Sequence, residues 1–316
     1  MSSSESRGLI SPQALMMIRN LELRAKIVVE GFWNGLHRSP YHGFSVEFTE
    51  YRDYTPGDDP RYLDWRLFAR TDRYYIKKFE DETNVRCHLL VDNSQSMGYQ
   101  SVGYTKADYA STLAATLAYF LHLQGDATGL LTFDEGIREF LPARHRPGHL
   151  RHLMLALEKP GSGTSTDLTA PLKRIAEIIK KRGLLMLISD LLAPIDALER
   201  NLSNLRACGH EVVLFHVLAP AELNFSVGQP AMFRDLESGR RLYIDPAAAR
   251  RDYLQKLKDH IGAVEQSCRK LGIGYNRLST DRPLELALFD FMRARMQRGK
   301  KSRVVRHRHR VTTNRA

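Results

Sequence analysis

The stretch at residues 85–97, VRCHLLVDNSQSM, decides the fold of this chain. Its apolar run at residues 89–91 ends abruptly at Asp92, and Ser94 and Ser96 follow at alternate positions. An uninterrupted apolar run is typical of a parallel strand that is covered on both faces. Ligand sites in open α/β sheets lie outside the carboxyl ends of such strands. The stretch therefore predicts a buried central strand that delivers oxygen ligands to a site for a hard divalent cation.

Strand-like and helix-like segments alternate on the C-terminal side of this stretch. Residues 106–124 have the spacing of an amphipathic helix, strands are predicted at 127–133 and at the wholly apolar run 184–188, and a long helix is predicted over 246–271. Residues 221–245 interrupt the alternation and predict a hairpin insertion. Alternation at this spacing predicts an α/β fold of three layers, with a doubly wound and mostly parallel sheet.

The N-terminal part of the chain follows a different pattern. Residues 12–30 have helical periodicity, and the aromatic-rich segment after them contains strand-like runs at 44–54 and 74–79. The predicted organisation is a disordered N-terminus (1–11), a helix and small β-rich subdomain (12–84), the α/β domain (85–296, with the insertion at about 221–245) and a basic tail (297–316).

The net charge of +11 belongs almost entirely to the end of the chain. Residues 291–316 hold ten Lys and Arg residues and no Asp or Glu, and without them 37 basic residues oppose 36 acidic ones, a net charge of +1. Only the tail therefore argues for an anionic partner. The tail either binds nucleic acid or an acidic protein, or is a solvated extension of the last helix, and its lack of aromatic residues disfavours the binding of single-stranded nucleic acid.

Cysteine usage and hydropathy favour a cytoplasmic protein. No apolar stretch approaches the roughly 20 residues that span a bilayer, and the opening MSSSESRGLI has no apolar core of a signal peptide. Cys87, Cys208 and Cys268 are far apart and lack metal-ligand spacing, as expected in a reducing compartment. The pattern leaves the oligomeric state open.

Two further loops carry oxygen-bearing side chains at positions that suit the same site. The loop GSGTSTDL at residues 161–168 contains Thr164 and Thr166, and the apolar strand at 184–188 is followed by Ser189 and Asp190. If the three loops converge, Ser94, Ser96 and a Thr would bind Mg²⁺ directly. Asp92 and Asp190 would balance the charge of the ion through water. The structural alternative is that these residues are helix caps and turns, with Asp190 as an N-cap.

This constellation resembles the metal-ion-dependent adhesion site of von Willebrand factor A domains. The resemblance covers residues 85–296 and favours Thr166 as the Thr ligand, because Leu172 follows it at the family's spacing. It implies a metal site of Asp92, Ser94, Ser96, Thr166 and Asp190 for Mg²⁺, with Mn²⁺ or Ca²⁺ as alternatives. It also implies that an acidic residue of a client protein binds the metal.

The block at residues 48–65, FTEYRDYTPGDDPRYLDW, followed by ART at 69–71, resembles the domain-of-unknown-function family fifty-eight. Members carry a von Willebrand-like domain and are often encoded beside MoxR-type AAA+ ATPases. The resemblance therefore implies a protein-binding adaptor that is the partner of such an ATPase, rather than an enzyme. The block itself is either a partner surface or an internal salt-bridged scaffold, and its Pro-Gly-Asp turn favours the scaffold.

Two other functions fit parts of the sequence. A metal-dependent hydrolase could use the Asp92 site, although the sequence shows no evident general base and no Gly-x-Ser-x-Gly, His-Glu-x-x-His or Walker A motif. A phosphoesterase assay with Mg²⁺ and Mn²⁺ would identify it. Nucleic-acid binding through the basic tail is the other alternative, and a salt titration of DNA binding would test it.

Overall fold

The computed structural model describes residues 9–38, 50–53, 75–78, 86–159, 168–225, 231–234 and 241–292. The helices are α1 Pro12–Met16, α2 Leu21–Arg38, α3 Lys106–Leu123, α4 His149–Leu157, α5 Thr169–Ile178, α6 Ile195–Ala207, α7 Pro220–Asn224, α8 Pro246–Leu271 and α9 at 284–292. The strands are β1 Glu50–Asp53, β2 Tyr75–Lys78, β3 Arg86–Asp92, β4 Ala127–Phe133, β5 Ile137–Arg144, β6 Leu184–Ser189, β7 Glu211–Leu218, β8 Ala231–Arg234, β9 Arg241–Ile244 and β10 Gly274–Ser279. A short 3₁₀ helix, Gln95–Gly98, follows β3.

A six-stranded sheet forms the centre of the fold, in the order β10-β7-β6-β3-β4-β5. Each pair of neighbouring strands is parallel except β4 and β5, which are antiparallel at one edge. The predicted fold class, a three-layer α/β fold with a doubly wound and mostly parallel sheet, is confirmed. The sheet is parallel because the helices connecting its strands return the chain to the same edge each time.

Both faces of the sheet are covered, as the apolar run in β3 predicted. Successive side chains of a strand point to opposite faces, so Leu89 and Val91 pack on one side and Leu90 on the other. The first side is covered by α2, α3, α4 and α9, and the second by α5, α6 and α8. Burial on both faces explains why residues 89–91, directly before Asp92, are all apolar.

The helix predicted over residues 12–30 is instead two helices, α1 and α2, and this part of the prediction was wrong. The side-chain Oδ1 of Asn20 accepts a hydrogen bond from the backbone N–H of Leu23 at 2.7 Å, which caps a new helix start. Both helices keep the apolar face that the periodicity indicated, because Leu15 and Leu21 are buried in the core shared with the sheet. The cap at Asn20 therefore starts a second helix although the apolar periodicity continues through residues 12–30.

The N-terminal helices pack against α3 and are joined to α9 by a buried carboxylate. Phe32 of α2 meets Phe120 of α3 edge to face, with ring centroids 5.9 Å apart. Glu285 of α9 accepts a hydrogen bond from the backbone N–H of Ile10 at 3.1 Å. A side chain at Gly31 would lie only 3.3 Å from the same carboxylate. The first and last described helices thus belong to one core.

Two small antiparallel sheets, β1–β2 and β8–β9, lie outside the central sheet. Their strands fall within the segments where the sequence predicted strands, whereas the five-residue helix α7 was not predicted. Among the described residues, no helix is both long and apolar enough to cross a membrane. The predictions for residues 1–8, the turn at 56–60, the loop at 160–167 and the tail from 293 lie outside the described residues. The predicted domain boundaries stay predictions.

Candidate metal-binding site

The candidate site lies where the direction of winding of the sheet reverses. From β3 the chain adds β4 and β5 on one side, and then crosses over to add β6, β7 and β10 on the other. Asp92 ends β3, and Asp190 directly follows β6, its neighbour in the sheet. Ligands of doubly wound sheets bind in the crevice beyond the strand ends at such a switch point. The topology therefore places both aspartates where a ligand site is expected.

Asp92 is fully buried, and both of its carboxylate oxygens accept hydrogen bonds. Oδ1 accepts from the backbone N–H of Ser94 at 2.9 Å, and Oδ2 accepts from the hydroxyl of Ser189 at 2.6 Å. Burial and the neighbouring charge of Asp190 raise the pKa of the Asp92 carboxyl above its usual range, while these hydrogen bonds oppose the rise. The carboxylate is therefore fixed in position, and no Lys or Arg side chain of the described residues forms an ion pair with it.

The two serines of the loop after β3 present their hydroxyls side by side. Ser94 Oγ and Ser96 Oγ are 3.1 Å apart. Adjacent oxygens of an octahedral Mg²⁺ ion, each bound at 2.0–2.1 Å, lie about 3.0 Å apart. The spacing of the two hydroxyls therefore fits neighbouring positions around such an ion.

Asp190 is paired with a buried lysine that the sequence analysis did not include in the site. Lys106 Nζ lies 2.8 Å from Asp190 Oδ2 and 2.7 Å from Glu222 Oε1. The second oxygen of Glu222 accepts a hydrogen bond from the backbone N–H of Ala219 at 2.7 Å. The alternative role of Asp190 as a helix N-cap is wrong, because the N-cap of α6 is Pro194.

The charges at these strand ends leave an excess that suits a divalent cation. When all three carboxylates are ionised, Asp92, Asp190 and Glu222 contribute three negative charges and Lys106 contributes one positive charge, so two negative charges remain. A buried excess of this size is costly without a counter-ion. The donor set, the hydroxyl spacing and the charge balance therefore fit a bound Mg²⁺ or Mn²⁺ ion.

The backbone after β6 adopts an unusual conformation next to Asp190. Leu191 has a φ of 52°, in the left-handed region that residues with side chains seldom adopt. Its N–H donates to Ser189 Oγ at 2.9 Å, and its side chain is buried in the core. The same serine hydroxyl thus binds Asp92 and fixes the turn that carries Asp190. Strained backbone of this kind is common at functional sites.

The structure brings together four of the five predicted site residues at one edge of the sheet: Asp92, Ser94, Ser96 and Asp190. The fifth, Thr166, lies outside the described residues. Within the described part of the chain, no group of three or more His, Cys, Asp or Glu side chains could hold a metal ion. A metal at this edge would therefore depend on serine and threonine hydroxyls.

Sequence reasoning missed Lys106 and Glu222, and it named Ser189 without assigning it a role in the site. Lys106 is 84 residues from Asp190 and 116 from Glu222, so local pattern does not reveal the cluster. One signal was available, because Lys106 is the first residue of α3. A cation is disfavoured at that end of a helix dipole, and its presence there indicates a buried anionic partner.

A cavity of about 630 Å³ adjoins the loop after β3. Asn93, Ser94 and Gln95 line one wall, and Arg19 and Arg24 of the N-terminal segment line another. Arg24 is held in place, since its guanidinium donates to Thr112 Oγ1 at 3.2 Å. The cavity gives a partner side chain a path to the serine loop.

Comparison with known proteins places the chain among proteins without an assigned activity. The family model described as "Protein of unknown function DUF58" matches residues 50–262. The chain is 30% identical over 277 residues to the uncharacterized protein Rv1480 of Mycobacterium tuberculosis (strain ATCC 25618 / H37Rv), with 86% of each chain covered. It has the same identity to the uncharacterized protein Mb1516 of Mycobacterium bovis.

Solved structures with similar folds include two from Bacteroides. The conserved hypothetical protein BatB from Bacteroides thetaiotaomicron has 16% identity and a TM-score of 0.44, and covers 68% of this chain and 99% of its own. An aerotolerance-related membrane protein from Bacteroides fragilis has 16% identity and a TM-score of 0.43. The match covers 64% of this chain and 96% of that protein. At these scores we draw no functional argument from either structure.

Proposed function

Because the chain belongs to the family described as protein of unknown function DUF58, we propose a function from its own site: a metal-dependent protein-binding adaptor that is the partner of a MoxR-type AAA+ ATPase. The observation that carries the proposal is the paired hydroxyls of Ser94 and Ser96 beside the buried Asp92 carboxylate. These groups lie at the switch point of the sheet and next to an open cavity.

The proposed ligands divide into neutral and charged groups. Ser94 and Ser96 bind the ion through their hydroxyls, and Thr166 is proposed as a third neutral ligand. Asp92 and Asp190 balance the charge without both touching the metal. A divalent ion held mainly by neutral oxygens supplies a position that attracts a carboxylate from another protein. The chain thereby recognises an acidic side chain of its partner.

Binding explains the arrangement better than hydrolysis does. A hydrolase needs a general base within reach of the attacking water. At this edge of the described structure, both Asp92 oxygens accept hydrogen bonds, and Asp190 and Glu222 are paired with Lys106. Because these carboxylates are already paired, none of them is placed to act as a general base. A fixed, pre-formed binding position follows from the same contacts.

The choice of partner rests on the family resemblance. The MoxR-type ATPase is proposed because members of the family are often encoded beside one, and the acidic residue is proposed from the chemistry of the site. We expect the client or the ATPase to present an exposed Asp or Glu that enters the cavity beside Ser94. A chaperone-like or complex-maturation role would follow from coupling to such an ATPase.

Metal binding is the first test of the proposal. Mg²⁺ or Mn²⁺ should raise the melting temperature of the protein, because an ion that binds only the folded state stabilises it. Asp92→Ala should remove that response. Asp134→Asn is the matched control, since Asp134 is a buried carboxylate just beyond the neighbouring strand β4 but is paired with Arg138. An Asp92→Ala protein that still responds as the wild type does would place the ion elsewhere.

Partner binding is the second test, measured by calorimetry against a MoxR-type ATPase. EDTA, Asp92→Ala and Thr166→Ala should each weaken the complex. Neutralising one Asp or Glu of the partner should do the same, and combining that change with Thr166→Ala should add little, because both act through one contact. Equal affinity in Mg²⁺ and in EDTA would remove the ion from the interface and leave the block at residues 50–70 as the candidate surface.

A further inference from the structure

Lys106 is a component of the site that neither the adhesion-type motif nor the family comparison assigns. Its side chain is 1% exposed, and its ammonium lies within 2.8 Å of two carboxylates from different parts of the fold. Asp190 follows β6, whereas Glu222 belongs to α7 after β7. The ring of Tyr99 lies 5.9 Å from the same nitrogen. The lysine therefore joins three segments at the strand ends.

The ammonium is held in its charged form. Its contacts are those of an ammonium ion, because Nζ lies 2.8 Å from Asp190 Oδ2 and 2.7 Å from Glu222 Oε1, distances typical of charge-assisted hydrogen bonds. A permanent positive charge thus lies next to Asp190 at neutral pH. Of the three carboxylates at the strand ends, Asp92 is the one that this cation does not contact.

The position of the ammonium is fixed from both sides. Thr105 caps α3 through a reciprocal capping box, in which its Oγ1 accepts from the Asp108 N–H at 3.0 Å and Asp108 Oδ2 accepts from the Thr105 N–H at 2.9 Å. Glu222 is held by the Ala219 N–H on the opposite side. The lysine cannot leave Asp190 without exposing two buried carboxylates. It is therefore a fixed component of the site.

We propose that Lys106 sets the charge of the metal site: its ammonium neutralises Asp190, so that the strand ends carry two negative charges rather than three. This inference rests on the proposed metal site and deepens it. With two charges, a divalent ion is balanced but keeps its attraction for an external carboxylate. With three, the ion would be bound more tightly and would attract a partner's acidic residue less. Lys106 thus lowers the affinity of the site for the metal ion and raises the affinity of the bound ion for the partner's carboxylate.

The test is a charge series measured with Mn²⁺ alone, by calorimetry and electron paramagnetic resonance. Lys106→Met removes the positive charge and should bind Mn²⁺ about tenfold more tightly than wild type. Glu222→Gln removes a negative charge at nearly constant shape and should bind about tenfold more weakly. The double variant restores the net charge and should return close to the wild-type affinity.

The two single substitutions should change the Mn²⁺ affinity in opposite directions, and this distinguishes the charge-setting role of Lys106 from a structural role. If Lys106 only holds the strand ends together, both single substitutions break the same cluster and both should weaken Mn²⁺ binding. Circular dichroism and urea unfolding establish which variants are folded. Should Lys106→Met alone fail to fold, the comparison of the double variant with Glu222→Gln isolates the same change. Tightening on adding Lys106→Met supports the proposal, and no change or weakening overturns it.

The series also separates failure of this inference from failure of the metal site. If the wild type binds Mn²⁺ and Asp92→Ala does not, the site stands whatever Lys106 does. An unchanged or weakened affinity in Lys106→Met then overturns only the charge-setting role. If the wild-type protein does not bind Mn²⁺, the proposed metal-dependent function fails, and the role of Lys106 fails with it.

Discussion

The two ends of the central sheet differ in how they bury polar side chains. Near the amino-terminal ends of the strands the buried groups include His88, and burial lowers its pKa to about 4, so that it is neutral. Ring nitrogens of His149 and His210 lie within 2.9 Å of backbone carbonyl oxygens. At the carboxyl-terminal ends a buried ion pair, Asp190 with Lys106, lies beside a neutral histidine, His216.

The difference shows where this fold retains charge. A buried side chain that only fills space and satisfies the backbone is cheapest when neutral. Ionic groups persist in the interior only where partners hold them, and they then create a field that can attract a ligand. The carboxyl-terminal ends, where Asp190 and Lys106 are paired, are therefore where we propose that the protein binds its ligand.

Replacing Lys106 should disrupt the ion pair at the carboxyl-terminal ends of the strands, and this is the largest effect on stability that we expect. Lys106→Ala leaves the buried Asp190 carboxylate and the half-buried Glu222 carboxylate without their cation, and should lower the free energy of unfolding by about 3–5 kcal/mol in urea titrations. The matched control is Lys270→Ala, because Lys270 pairs with Glu199 at the surface and is 70% exposed. That change should cost less than about 1 kcal/mol. Similar losses in both variants would contradict the ionic account of this end.

Acidification should lower the free energy of unfolding through His88, the buried neutral histidine near the amino-terminal ends of the strands. The pKa of His88 is about 4 in the folded protein and about 6.5 in the unfolded chain, so the unfolded chain takes up the proton first as the pH falls. Stability that is fully present above pH 6.5 is therefore lost progressively toward pH 4. At pH 5 the loss from this residue should be about 2 kcal/mol.

The measurement is urea unfolding of wild type and His88→Leu at pH 7 and pH 5. The variant should lose less stability than the wild type between these two values. His152→Gln is the control, because His152 is exposed on α4 and its replacement should leave the pH dependence as it is. An unchanged pH dependence in His88→Leu would mean that His88 is not the group that titrates.

Removing the N-terminal cap of α3 should destabilise the Lys106–Asp190 pair less than replacing Lys106 does. Thr105→Ala removes the hydroxyl that caps the helix and should cost about 1 kcal/mol of stability. Because Lys106 directly follows the cap, the Mn²⁺ affinity should change as well, in the same direction as in Lys106→Met. Thr105→Ser keeps the hydroxyl and should restore both properties. Loss of stability without any change in Mn²⁺ affinity would separate the cap from the metal site.

Removing the basic tail should leave both ends of the sheet unaffected. The tail carries most of the net charge but few apolar residues, so truncation after Arg298 should change the free energy of unfolding by less than about 0.5 kcal/mol. Retention on heparin should fall sharply, since the body of the chain is nearly neutral. A large loss of stability would show that the tail contributes to the folded core.

The sequence predicted those parts of the molecule that depend on local pattern. The apolar run of β3 and the spacing of Asp92, Ser94 and Ser96 predicted a buried strand with a polar end, and the structure has both. The partners of Asp190 were missed because they come from distant segments and are specified only by the packing of α3 and α7. The break at Asn20 was missed because one cap outweighed a continuous apolar periodicity.

The hydrogen bond between Ile10 and Glu285 has a consequence for the order in which the protein acquires its structure during synthesis. A ribosome releases α1 and α2 first and α9 last, so the opening helices emerge before the residue that anchors them exists. Until then, apolar residues of α2 such as Val28 and Phe32 lack part of their final covering. The nascent chain should therefore be most susceptible to chaperone binding and proteolysis before the last turns of α9 leave the exit tunnel.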